Sequence, residues 1–185
     1  MKTSRPSPQI NSGSMADIAF LLLIFFLVTT TISGNEGINR KLPQDCPPGT
    51  DCSIAIADRN LFRILVNNQD QIMVNNELMP IDNLKDEIKR FVDNNGDTSC
   101  NYCKGNQSST LSQSPQKAVI SLQNGSLTTY GFYIDVQDEI TKAYMELRTE
   151  YARNRFNKPI SELSETELEQ VKKAYPFLLS EASTQ

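Results

Sequence analysis

The sequence predicts an α+β protein: a single N-terminal transmembrane helix, then a small mixed α/β domain beyond the membrane, then a helical C-terminal extension. Three observations predict it. An apolar run fills residues 18–28, and no comparable run follows. Two short β-prone segments, 61–66 and 71–74, flank a polar turn, which is the pattern of a hairpin. Apolar residues then recur at helical spacing over 82–92 and again from Tyr130, as amphipathic helices require.

Taking the elements in order, residues 15–32 contain one charge, Asp17. Eighteen residues make a helix about 27 Å long at 1.5 Å per residue, close to the hydrocarbon thickness of about 30 Å. A cleaved signal peptide would place basic residues against the run and small residues at a cleavage site. Here an acid stands inside the start, and Thr31, Ile32 and Ser33 make a poor site. The expectation is a retained anchor over 14–33, preceded by a short segment 1–13. Lys2 and Arg5 lie before it, and Glu36, Arg40 and Lys41 after it, a weak charge signal for orientation. All four cysteines, Cys46, Cys52, Cys100 and Cys103, follow the anchor. An oxidising compartment would pair them, so the N-terminus reads as cytoplasmic.

Residues 34–60 are rich in Gly, Pro, Asn and Asp, and Pro43, Pro47 and Pro48 forbid a continuous helix. They read as a tether leading to a folded domain over 61–157. Ile81, Leu84, Ile88 and Phe91 or Val92 form one helical face, with Pro80 marking its start and Gly96 its end. Residues 94–116 are Asn, Gly, Ser, Gln and Thr in the main, an exposed loop with no means of burying surface. Residues 117–122 read as a buried strand closed by Asn124 and Gly125. Tyr133, Val136, Ile140, Tyr144, Leu147 and Tyr151 form the core-facing stripe of a long helix reaching about Asn157, stopped by Pro159. In the extension, 158–185, a last helix begins at Ser164. Glu167 supplies its capping box, and Leu163 with Leu168 a hydrophobic staple.

Composition excludes several functions. Of 22 acids and 18 bases, all but Asp17, Lys2 and Arg5 follow the anchor, which leaves that part at about −5 and without a basic stripe for nucleic acid. The chain has no histidine, which removes histidine acid–base catalysis and most zinc chemistry. No nucleophile triad, phosphate loop or dinucleotide fingerprint is present, so neither enzymatic activity, a metal nor an organic cofactor is expected. The charges over 85–90 and 162–173 read as solvated faces. Cys100 and Cys103 sit in a polar loop rather than at the start of a helix, which favours structural pairing over redox chemistry. Four cysteines allow three connectivities; local bridges, Cys46 to Cys52 and Cys100 to Cys103, are favoured.

Asp17 is the candidate functional residue. An acid inside a spanning helix costs about 2.5–3.5 kcal/mol at the centre and less towards an end, so it needs a reason to be there. The competing account puts it at interface depth, in water, favoured by the positive end of the helix dipole. Ser14, Thr29 and Thr30, with Thr31, are candidate pore-lining hydroxyls; alternatively the threonines bond carbonyls of their own helix.

The segment Asn11-Ser-Gly-Ser-Met-Ala-Asp17 followed by the Leu/Ile/Phe run resembles the anchor of the ExbD/TolR biopolymer-transport proteins, with Asp17 in the place of that family's membrane aspartate. Residues 38–43, ending in Leu42 and Pro43, are similar to the segment that precedes the family's folded domain, and the likeness extends over about residues 9–155. Two departures stand out. Ser14 occupies a position where the family usually has proline, and the family's closing strand looks absent after the long helix, replaced by the Ser164 helix.

The resemblance implies a single-pass inner-membrane protein with a periplasmic domain, working as a motor subunit that uses the proton-motive force, with protons as its coupling ion. It implies two copies of this chain, a homodimer, inside a pentamer of an ExbB-like multi-span partner, with alternate protonation of Asp17 driving movement. A TonB-like protein would carry the force to outer-membrane transport. A TolR-like or gliding-type load is the alternative, as is a membrane-tethered periplasmic binding module in which Asp17 is incidental.

Overall fold

The structure is a computed structural model that describes residues 12–29 and 56–183. The chain divides into two units, 1–40 and 41–185, taken separately below. In the first, α1 runs Ser12–Thr29. The helix begins two residues before the expected anchor, 14–33, of which residues 30–33 lie outside the described residues, as do the tether residues Leu42, Pro43, Cys46 and Cys52.

The second unit is a five-stranded sheet with helices packed on it. Its strands are β1 (Leu61–Val66), β2 (Ile72–Val74), β3 (Glu77–Met79), β4 (Val119–Asn124) and β5 (Leu179–Ser183), in the order β3-β2-β1-β4-β5. β1 pairs antiparallel with β2 and parallel with β4. The helices are α2 (Ile81–Val92), α3 (Tyr130–Phe156) and α4 (Glu165–Ala174). Alternation decides which face of the sheet is covered. Phe62, Ile64 and Val66 of β1 and Ile120 and Leu122 of β4 are buried while their neighbours are less so, as period-two side chains dictate. Leu84, Ile88, Phe91 and Val92 of α2 and Val136, Ile140, Tyr144 and Leu147 of α3 join them in one core. Each fully buried side chain of this size contributes about 1.5–3 kcal/mol.

Local chemistry sets the turns. Asn67 accepts from the backbone of Gln69 and Gln71 at 3.0 and 2.9 Å, folding the β1–β2 connection. β3 is an addition to the expected hairpin. Asn75 and Asn76 have φ of 48° and 74°, the left-handed pair of a two-residue hairpin turn. α4 carries the full capping box between Ser164 and Glu167. α2 ends at Val92 rather than near Gly96.

Two expectations are corrected. The closing strand is present: β5 adds parallel to the outer edge of β4, from Ile120 with Leu179 to Asn124 with Ser183. It follows α4 instead of α3, so the extension is not purely helical. The stretch 94–116 is not a bare exposed loop. Asn94, Asn95, Ser112 and Ser114 are buried, held by polar bonds instead of apolar contact. Asn94 donates to the carbonyls of Ser108 and Ser112 and accepts from the Ser108 amide. Asn95 grips both backbone groups of Cys100, and Arg59 donates to Leu111 O and Ser108 O. The charges of α2 stay in contact with solvent, and two of them also reach across the surface: Lys85 and Lys89 both pair with Glu146 of α3, at 2.8 and 2.7 Å.

Candidate functional site

The candidate site is built on α1. Its 18 residues have a mean hydropathy of 2.0 and none is buried within the protein. A helix apolar on every side has no soluble core to face, which suits lipid or a membrane partner. Asp17 lies in the second turn, roughly 8 Å along the axis from the first residue, past the amides left free at a helix start. Ser14, three residues earlier, shares its face, continued by Phe20, Leu21, Ile24 and Val28. No cation or hydrogen-bond donor among the described residues pairs with the Asp17 carboxylate.

Thr29 does not join this face. It stands twelve residues beyond Asp17, about 120° round the helix, and its hydroxyl donates to Phe25 O at 2.8 Å, with Phe26 O at 3.4 Å. It satisfies its own helix end, the alternative weighed for the threonines, while Thr30 and Thr31 lie outside the described residues. The structure therefore joins Asp17 with Ser14 but not with Thr29.

Of the four cysteines, Cys100 and Cys103 form a disulfide, as the local pairing requires, and Cys46 and Cys52 lie outside the described residues. The bridge closes the loop around Tyr102, whose hydroxyl donates to Ala174 O at 2.8 Å. Tyr102 thus fastens the loop to the end of α4, just before the segment entering β5. Sequence spacing shows the two cysteines but not what their bridge holds.

The chain matches the family described as biopolymer transport protein ExbD/TolR over residues 3–151. The match takes in α1 with Asp17 and runs through β4 into α3; α4 and β5 fall beyond it. No curated protein sequence matches the chain. With a match over most of its length and the mixed α/β unit behind one apolar helix, the chain belongs to the ExbD/TolR family of biopolymer-transport proteins.

Proposed function

We propose that the chain is the proton-coupling subunit of an inner-membrane motor, with Asp17 as the group that takes up and releases protons. The observation that carries this reading is a single carboxylate on an 18-residue apolar helix with no partner among the described residues. Such a charge needs a polar partner from another subunit, and protonation removes both the charge and that need. Transfer of one proton down a potential of order 100 mV releases about 2.3 kcal/mol, comparable with the cost of exposing one carboxylate to lipid.

In this reading residues 1–13 are cytoplasmic and the α/β unit is periplasmic. Two copies sit inside an ExbB-like pentamer, dimerise through the periplasmic unit, and expose their Asp17 carboxylates in turn. A TonB-like protein receives the force. Family membership supports the motor role, and the oxidising compartment implied by the Cys100–Cys103 bridge supports the orientation. The test is Asp17→Asn in cells, with co-purification of the multi-span partner checked alongside. An assembled complex without proton-dependent transport supports the reading. Normal transport overturns it and leaves an anchored binding domain.

A further inference from the structure

A concavity of about 320 Å³ opens on the α/β unit, bounded by the end of α2, the disulfide-closed loop, the last turns of α3 and the residue after α4. Ligand sites occupy about 300–1,000 Å³, so a small molecule fits. Tyr102, Tyr151 and Tyr175 line it and meet edge to face, with ring centroids 4.9, 5.5 and 6.2 Å apart. The Tyr175 hydroxyl is fixed on Asp93 Oδ1 at 2.6 Å and that of Tyr102 on Ala174 O. These rings are held before any ligand arrives, and aromatic faces offer apolar contact and attract cations.

Charges of both signs share the cavity: Asp93 and Glu150 against Lys104 and Arg155. They lie in one field. Burial raises the Asp93 carboxyl above its usual range, Glu150 adds to the rise, and the Lys104 charge pulls it down. Yet no ion pair or hydrogen bond among the described residues engages the Glu150 carboxylate, the Lys104 ammonium or the Arg155 guanidinium, Lys104 bonding Asp93 through its backbone amide alone. A lone cation would meet Lys104 and Arg155, and a lone anion would meet Asp93 and Glu150. A ligand carrying both charges would satisfy each set.

We propose that this cavity binds a small zwitterion, an amino acid or dipeptide with free ends, its ammonium toward Glu150, Asp93 and the tyrosine rings and its carboxylate toward Lys104 and Arg155. All of the cavity's lining residues belong to the α/β unit, and Asp17 is not among them. The test titrates the full chain, in phosphatidylethanolamine–phosphatidylglycerol nanodiscs, with glycyl-L-leucine and follows amide resonances. Two capped peptides, N-acetyl-glycyl-L-leucine and glycyl-L-leucinamide, each lack one charge.

Shifts clustered around the cavity are expected, with binding about tenfold weaker for either capped peptide. Glu150→Gln should abolish the preference for the free ammonium and keep that for the carboxylate; Arg155→Gln should do the reverse. Both side chains are exposed, and unchanged resonances in β1 and β4 verify that each variant folds. An absence of shifts at about 10 mM peptide, enough to occupy most of a millimolar site, overturns the proposal. So does equal binding of free and capped peptides.

Discussion

Replacing Tyr175 by phenylalanine isolates one bond in the α/β unit. The ring is 4% exposed and packs on Tyr102 and Tyr151, contacts that phenylalanine keeps. What disappears is the hydroxyl that donates to Asp93 Oδ1; Oδ2 still accepts from the Lys104 amide at 3.0 Å. A bond to a charged group contributes about 1.5–3 kcal/mol, and one between neutral groups about 0.5–1.5. The loss therefore depends on whether Asp93 is ionised. Burial raises its folded-state pKa above 3.8, and the Tyr175 bond partly offsets that rise. A carboxyl raised in this way favours folding while protonated, and that contribution is lost as pH climbs from 3.8 through the folded value. Without the hydroxyl the folded value climbs further, so the loss extends to higher pH. Tyr175→Phe should cost roughly 1 kcal/mol near pH 3 and about 1.5–3 kcal/mol at pH 7. Because the chain has no tryptophan, urea unfolding of the full chain in detergent can be followed by near-ultraviolet circular dichroism of its tyrosines. Tyr130→Phe, at a ring 78% exposed, is the silent control. Equal losses at both pH values, or a loss under about 0.5 kcal/mol at pH 7, would refute the reasoning.

Three further outcomes follow from the same geometry. A Cβ at Gly105 would collide with Asp93 O and Asn94 Cα, so Gly105→Ala should cost about 1–3 kcal/mol in urea unfolding, since backbone must move. The buried Tyr144 hydroxyl lies near the Leu178 backbone but makes no hydrogen bond among the described residues. Tyr144→Phe should then raise stability by about 1 kcal/mol, and a comparable loss would reveal a bond there. Hydrogen bonds from Ser99, then Lys117, hold the Asp97 carboxyl down at about 2. Its stabilisation is present above 3.8 and lost as pH falls toward 2, a slope that Asp97→Asn should remove. Solvent screening keeps this effect below about 1 kcal/mol, measurable as the difference between acid-unfolding curves.

The elements readable from sequence were those whose burial follows a period. α2, α3 and β4 each bury one regular stripe, and Ser164 with Glu167 announces α4. β5 has no such mark: Leu-Ser-Glu-Ala-Ser lacks β-branched residues, and its strand form comes from pairing with β4. The stretch 94–116 misled because apolar content was the measure of order, whereas Asn94, Asn95 and Arg59 satisfy its backbone directly. β3 could have been found from Asn75 and Asn76, a turn pair placed directly after Val74. Asp17 stood out because a charge in an apolar run is visible in one dimension. The tyrosine-lined cavity did not, because Asp93, Tyr102, Glu150 and Tyr175 meet only after α2, α3 and α4 have packed.

The position of β5 also bears on how the chain is made. β4 lies between β1 and β5, yet β5 is encoded only after α3 and α4 have emerged. Throughout that interval the outer edge of β4 is a row of unmatched amides and carbonyls, open to any extended segment. A ribosome that stops before Leu179 would release a chain with its buried stripe intact and this edge still bare, a product suited to aggregation rather than simple inactivity. The loop that seats Tyr102 against Ala174 O is already synthesised by then, so the last strand arrives at an anchorage prepared for it.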